Sequence, residues 1–283
     1  MCNIIQSFYS YNCNEINLFT QSCYFALSSI YAYGSDMPIT LYTDYEFKEI
    51  LDCAPYKNIS VIFDNHDDYI NIDPLIWAWP KFIALDVVDR YSIHIDGDVF
   101  LKSNDLIQIL QFNGFDAIVQ HLESRLETQC YGSAYFDSFD CIKHLDFPKC
   151  VTKKVPDYMP NNGVLGVCNN KLWEKYRDSY WYMVNQIEKG SLQKEGWCVP
   201  DIIFEQYFLK ELCDYYGYNI KYILKGDCID DIIKDAANKN YQHVCSEKRQ
   251  HIKKVLELIH KKDNRCYDAL YSIWHDKFIE YFE

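Results

Sequence analysis

The first 64 residues alternate between two hydrophobic periods, and that alternation constrains the fold more than any other feature of the chain. Asn3 to Phe8 reads as a strand, and Asn14 to Tyr33 carries Leu18, Cys23, Phe25, Ala26, Leu27 and Ile30 at helical spacing. Pro38 to Asp44 is a second strand, Tyr45 to Ala54 a helix and Ile59 to Asp64 a third strand. Strand, helix, strand, helix, strand argues for crossover units and hence for a parallel sheet with helices on its faces. At 283 residues the chain can bury a full core as one large α/β domain or two small ones.

The stretch Tyr91-Ser92-Ile93-His94-Ile95-Asp96-Gly97-Asp98-Val99-Phe100-Leu101 places two acids in the middle of an apolar run. Up to Ile95 it has the bias of a buried strand, and Val99 resumes that bias. Gly97 lets the backbone bend and leaves room for close approach. Asp96 and Asp98 are thereby presented at a strand end, where open α/β sheets place their ligands. Two neighbouring carboxylates favour a hard divalent cation, which takes oxygen ligands and keeps positions open for a phosphate. Asp-Gly-Asp is also ordinary turn chemistry. It is, however, the only Asp-x-Asp in the chain, and it follows a core strand rather than lying in a polar loop.

Charge and cysteine spacing exclude several classes. A net charge of −13 argues against non-specific nucleic-acid binding, which needs a basic footprint. No run approaches the roughly 20 apolar residues of a membrane span, and Met1 to Ser10 reads as a strand rather than a signal peptide. The 13 cysteines are scattered, with no Cys-x-x-Cys pair, so neither a zinc motif nor a secreted disulfide framework is expected. A cytoplasmic protein with reduced thiols is the simplest reading.

Other positions carry candidate chemistry, each beside a plainer alternative. Asp44 ends the second strand, where an acid either meets a ribose or caps the following helix. Pro80 suits the first turn of a helix to about Val88, and Lys81 there opposes the helix dipole, so it serves an anion, serves Asp96 and Asp98, or is simply solvated. Phe115 to His121 reads as a strand and Leu122 to Val155 as an irregular substrate-specific insertion. Asn161-Asn162-Gly163 reads as a turn into a short strand, with Gly163 allowing backbone approach to a ligand. A helix starting near Pro200 puts Asp201 and Glu205 on one face, followed by Gln206, either as first-turn acids or as a base and sugar-binding groups. Tyr241 to Lys254 is basic in an acidic chain, and His243 with Lys248 and Arg249 either begins a surface helix or completes a site for a cation and a diphosphate. The tail from about Ile252 to Glu283 reads as one or two helices.

In order, Ile-Ile-Gln-Ser-Phe, Leu-Tyr-Thr-Asp, Trp-Ala-Trp-Pro-Lys, His-Ile-Asp-Gly-Asp-Val-Phe, Asn-Asn-Gly-Val-Leu-Gly, Phe-Glu-Gln-Tyr and Tyr-Gln-His-Val-Cys-Ser-Glu-Lys-Arg resemble a group of bacterial GT-A-type glycosyltransferase-like proteins. More distantly they resemble the retaining family of glycogenin and the lipopolysaccharide galactosyltransferases. The likeness runs from Ile4 to about Arg249 and lies in the order of the motifs. It implies an α/β, GT-A-type fold: a Rossmann-like, mostly parallel mixed sheet flanked by helices, with a catalytic domain over 1–250 and a helical tail over 251–283. It also implies a nucleotide-sugar donor, UDP-linked by the likeness, a glycan or other hydroxyl acceptor, and Mn²⁺ or Mg²⁺ on the diphosphate. By motif matching, Asp96, Asp98 and His243 would be the metal ligands and Lys248 would meet the diphosphate. Asp44, Phe8 and Tyr9 would meet the nucleoside, and Lys81 the donor side of the Asp-Gly-Asp loop. Asn162, Asp201, Glu205 and Gln206 would lie around the transferred sugar, and Gly163 would belong to the donor-binding set. Ser246 departs from the pattern, standing where the distant family has a glycine.

Two functions follow. The first is a metal-dependent glycosyltransferase, with retention of anomeric configuration favoured by the family likeness. The second is a non-catalytic nucleotide-sugar or glycan-binding protein of the same fold. A nucleotidyltransferase is set below both, because Ser7 to Asn14 lacks the glycine and lysine of a triphosphate loop. The oligomeric state is not fixed by the sequence.

Overall fold

The computed structural model of the chain describes residues 3–8, 15–32, 39–45, 47–51, 59–65, 69, 71–88, 91–102, 110–124, 132–192, 199–226, 228–244 and 248–282. The first half holds β1 (Ile4–Ser7), α1 (Glu15–Ala32), β2 (Ile39–Asp44), α2 (Lys48–Leu51), β3 (Ile59–Asp64), α3 (Trp79–Val87), β4 (Ile93–Ile95), β5 (Val99–Leu101) and β6 (Ala117–Ser124). Then come α4 (Gly132–Ile142), β7 (Tyr158–Val167), α5 (Asn170–Val184), a π-turn (Ile202–Tyr207) running into α6 (Phe208–Tyr216), β8 (Ile220–Tyr222) and α7 (Ile229–Asn238). The chain closes with β9 (Tyr241–His243), α8 (Lys248–Lys262) and α9 (Asn264–Phe282).

The described residues form a seven-stranded sheet in the order β3-β2-β1-β4-β7-β6-β8. The alternation of the first 64 residues produces its parallel half: β1 pairs with β2 and β4, and β2 with β3, all parallel. Every residue of β2 is buried, as a strand covered on both faces requires. β7 runs antiparallel between β4 and β6, and β8 is parallel to β6. The mostly parallel mixed sheet expected from the sequence is therefore present. Successive residues along a strand feed opposite faces. Ile5, Tyr42, Val119 and Leu165 join Phe82, Trp173, Tyr176, Tyr180 and Phe204 under α3, α5 and the π-turn. On the other face Leu41 packs with Phe19, Cys23 and Leu27 of α1 and with Ile252, Leu256, Ile259, Leu270 and Phe278 of α8 and α9. The tail helices thus lie against α1.

Three expectations need correction. Asn161-Asn162-Gly163 is not a turn but lies within the ten-residue β7, where Asn161 pairs with His121 of β6 and Gly163 O accepts from the Asp96 N–H just beyond β4. Local turn chemistry is overridden there by two flanking strands. The segment 122–155 is not irregular throughout, because β6 continues to Ser124 and α4 follows at Gly132. The expectation of reduced thiols fails at Cys141 in α4, which is disulfide-bonded, whereas Cys23, Cys150, Cys168, Cys213, Cys228 and Cys266 remain thiols. The helix near Pro200 opens on a π-turn, a local widening that often accompanies functional sites. It ends at Gly217, whose φ of 74° suits the left-handed cap that stops α6. Among the described residues no helix is long and apolar enough to cross a membrane.

Candidate active site

Asp96 follows β4 directly, and its backbone N–H donates to Gly163 O of β7 at 2.9 Å. Val99 N–H closes the turn onto Asp96 O at 3.0 Å. Glycine is required at 97 for space: a Cβ there would stand 2.7 Å from Cε1 of Phe8 and 2.9 Å from Cζ. Phe8 is itself fully buried, its ring centroid 5.2 Å from that of Phe25 and 5.8 Å from that of Phe47, so it walls the Asp-Gly-Asp turn from beneath. Beyond the turn, β5 pairs antiparallel with β9, with Val99 opposite His243. Val244 N–H donates to Asp98 O at 3.0 Å. The short two-stranded sheet brings His243 Nε2 to 3.4 Å from Asp98 Oδ1, with both side chains partly open to solvent.

Behind Asp96 lies a buried charge cluster. Lys81, on the first turn of α3, is 3% exposed, which excludes a solvated lysine. Its Nζ contacts Asp96 Oδ1 at 2.8 Å and donates to Glu205 Oε1 at 2.5 Å and to Asn162 O at 3.0 Å. This explains a cation at a helix N-terminus: its counter-ions reach it from β4 and the π-turn. Burial alone would push the ammonium down, but the two carboxylates outweigh it and hold Lys81 above its ordinary value. Burial would likewise raise Asp96, yet Lys81 and His94 hold it far below the usual carboxylate range. One ammonium cannot neutralise two carboxylates, Asp96 half-buried and Glu205 fully buried. Glu205, fully buried, takes the consequence: burial raises its carboxyl well above the ordinary range despite Lys81.

Glu205 is held by its backbone too. Tyr176 Oη donates to Glu205 O at 2.6 Å and Asn162 Nδ2 donates to the same oxygen at 3.1 Å. Two buried acceptors on these residues, Glu205 Oε2 and Asn162 Oδ1, have no hydrogen-bond partner among the described residues. Unpartnered buried polar atoms are costly and are met most often where a ligand or water completes them. Gln206, next on the π-turn, is half-buried.

Asp201 is committed elsewhere. Oδ2 accepts from the backbone N–H of Trp77 and, at 2.9 Å, of Ala78, and Oδ1 accepts from Tyr180 Oη at 3.0 Å. It therefore fixes the start of α3, the helix that carries Lys81. Burial pushes its carboxyl up to about 6, well above the ordinary carboxylate range. A raised carboxyl binds its proton more tightly in the folded state, so this group's contribution is full below pH ~4 and is lost as pH rises toward 6. Asp201→Asn is expected to remove that slope. Urea unfolding at pH 4.5 and 6.5 should show the wild type losing more stability than the variant over this interval, by about 2 kcal/mol. Equal slopes would overturn the assignment.

The remaining expected positions fall as follows. Asp44 is buried, and its Oδ1 accepts from Phe47 N–H at 3.0 Å, the helix-cap geometry, at a strand end that also suits a nucleoside. Gly163 lies beside His243: a Cβ there would stand 2.8 Å from His243 Cε1 and 2.5 Å from Gln120 Oε1. Lys248 opens α8, and its side chain, like Tyr9 and Ser246, lies outside the described residues. Sequence reasoning missed His94 and Ser7. Ser7 Oγ and His94 Nε2 are 2.7 Å apart, and His94 Nδ1 stands 3.4 Å from Asp96 Oδ1. The signal was available, since His94 and Asp96 are two apart at a strand end. It also missed a buried network along β6 and β7. There Tyr241 Oη donates to Gln120 Oε1, Gln120 Nε2 contacts His121 Nδ1 at 3.1 Å, His121 Nε2 lies 3.4 Å from Glu123, and Asn161 Nδ2 donates to Glu123 Oε1 at 2.7 Å. A register shift between Val119 and His121 re-aims these side chains, which an alternating pattern does not reveal.

Comparisons with known proteins agree with this architecture. The structure of galactosyltransferase LgtC in complex with donor and acceptor sugar analogs is similar at a TM-score of 0.50 and 12% identity, covering 92% of this chain and 95% of that one. An active-site mutant of LgtC matches at 0.49 and 13%, with the same coverage. The glycosyltransferase GlyE of Streptococcus pneumoniae TIGR4 gives 0.37 and 13%, covering 72% of this chain and 44% of that one. At such identities the first of these shows a shared GT-A-type fold. No curated protein matches the sequence. A family model spans residues 3–283, and by that match the chain belongs to the family of unknown function DUF6734.

Proposed function

We propose that this protein is a glycosyltransferase that takes a nucleotide-activated sugar, UDP-linked by the family likeness, and transfers the sugar to a hydroxyl of a glycan or other acceptor with retention. One observation carries the reading. Asp98 and His243 face each other at the end of β4, and directly behind them Lys81, Glu205 and Asn162 form a buried cluster with two unpartnered acceptors. The front of such a site suits a charged diphosphate and the back suits sugar hydroxyls.

The donor set suits a divalent cation in kind: two carboxylates and an imidazole are ligands that Mn²⁺ accepts, and Mg²⁺ suits the oxygens. Asp98 and His243 would hold it, with Asp96 through the oxygen that Lys81 does not engage. When bound, the cation would supply Lewis-acid charge to the leaving nucleoside diphosphate. The chain's own residues do the rest. Lys81 keeps Asp96 and Glu205 at fixed separation, Glu205 and Asn162 hydrogen-bond hydroxyls of the transferred sugar, and Asp201 holds α3 so that Lys81 stays in register. Lys248 would add positive charge at the diphosphate.

One observation favours a second reading. Among the described residues, no three His, Cys, Asp or Glu side chains are grouped closely enough to hold a metal ion. A binding protein of the same fold without turnover fits that arrangement. Incubation with UDP-, GDP- and other nucleotide sugars, with Mn²⁺ or EDTA, separates the two. Slow metal-dependent release of one nucleoside diphosphate is expected, reduced at least a hundredfold in Asp98→Asn. A rise in melting temperature with donor but no release, even with acceptor glycans added, would favour the binding protein. Neither release nor a shift would sink both.

A further inference from the structure

Asp96 Oδ1 is approached from two sides, by Lys81 Nζ at 2.8 Å and by His94 Nδ1 at 3.4 Å. The two neighbours differ in what they can fix. An ammonium on a four-carbon stem is a rotatable point charge, which sets a distance but not the plane of a carboxylate. The imidazole of His94 is planar, 1% exposed and anchored at its far nitrogen by the Ser7 hydroxyl at 2.7 Å. Its backbone is held as well, because His94 is paired with Ile5 of β1 on one side and Leu165 of β7 on the other. Ser7 closes β1 two residues beyond Ile5, so the parallel pairing of β1 and β4 itself delivers the hydroxyl to Nε2.

The near nitrogen is the informative one. Among the described residues His94 Nδ1 is a buried polar atom with no hydrogen-bond partner, and its 3.4 Å approach to Asp96 is beyond ordinary hydrogen-bond length. Leaving such an atom unmade is costly, so the arrangement favours a state in which the contact shortens. Hydrogen bonds around a site often tighten only in the loaded complex. We propose that His94, backed by Ser7, is a positioning residue that turns the Asp96 carboxylate so that its second oxygen is presented beside Asp98 and His243. The inference rests on the cation-and-diphosphate reading of that site. Ser7 accepts no role in bond making here; its hydroxyl orients the ring, and the ring orients the acid. Such outer partners of ligating side chains typically tune affinity by ten- to a hundredfold.

The test is Mn²⁺ binding to the full chain, read from the electron paramagnetic resonance signal of free Mn²⁺, with and without UDP as the diphosphate probe. Wild type is compared with His94→Leu, His94→Asn and Ser7→Ala, and each variant's melting temperature without metal reports folding. His94→Leu is expected to weaken Mn²⁺ about tenfold or more. His94→Asn keeps an N–H near the place of Nδ1 and should recover most of the affinity, and Ser7→Ala should show a smaller loss at unchanged melting temperature. A merely structural role would lower melting temperatures without this order of affinities. A folded His94→Leu that binds as wild type, or a His94→Asn as weak as His94→Leu, overturns the proposal. Should His94→Leu fail to fold, Ser7→Ala decides, and wild-type affinity there overturns it. If the wild type binds no Mn²⁺ even with UDP, the reading of the site falls and this inference with it.

Discussion

Lys81→Met is expected to destabilise the protein by about 3–5 kcal/mol, the cost of removing one partner from a buried ion pair. Methionine preserves much of the side-chain length, so the loss would report charge rather than volume. The variant leaves Asp96 and the buried Glu205 without the ammonium that stands 2.8 and 2.5 Å from them, and it frees Asn162 O as well. Urea unfolding measures the change, and a melting temperature lower by roughly 10 °C should accompany it. Adding Glu205→Gln to Lys81→Met should return part of the stability, since one of the orphaned acids is then gone. A cost below about 1 kcal/mol for Lys81→Met, as for an exposed pair, would mean that the three groups do not form the closed cluster described.

Gly163→Ala is the second large effect. The added Cβ would stand 2.5 Å from Gln120 Oε1 and 2.8 Å from His243 Cε1, closer than real atoms tolerate, so either the imidazole leaves Asp98 or the amide leaves Tyr241. Displacing a positioned group by about 1 Å can cost a hundredfold in rate. Donor hydrolysis is expected to fall by about that factor, with Mn²⁺ affinity falling in parallel. Wild-type Mn²⁺ affinity in a folded Gly163→Ala would show that His243 is not held through this contact.

How much of this the chain announces in advance depends on the range of the interaction. β1, β2 and β3 were legible because each is a short apolar run set off by a helical period, and their parallel pairing follows from the crossovers. Asn161-Asn162-Gly163 has the composition of a turn, whereas its conformation is set by β6 and by the Asp96 backbone beyond β4, far away in sequence. The π-turn leaves no mark on the pattern: spacing groups Asp201 and Glu205 on one face, but one points at the start of α3 and the other at Lys81. The clustering of Lys81 with Asp96 was signalled only by a cation where the helix dipole disfavours it. His94 escaped notice because a histidine within a strand has no local signature, and its partner Ser7 arrives through pairing with another strand.

The small β5–β9 sheet has a consequence for how the protein is made. Asp98 and His243 meet only because Val99 to Leu101 pairs with Tyr241 to His243, about half the chain later. The larger sheet is nearly complete before β9 is synthesised, for it lacks no strand beyond β8. During synthesis the chain therefore passes through a stage in which it can bury its main core while its two facing side chains remain apart. Closing so long a loop is entropically slow, and contacts of high sequence separation form late. Competence to bind would then follow burial of the core under α3, α5 and the π-turn, and would arrive with the same late part of the chain that supplies α8 and α9.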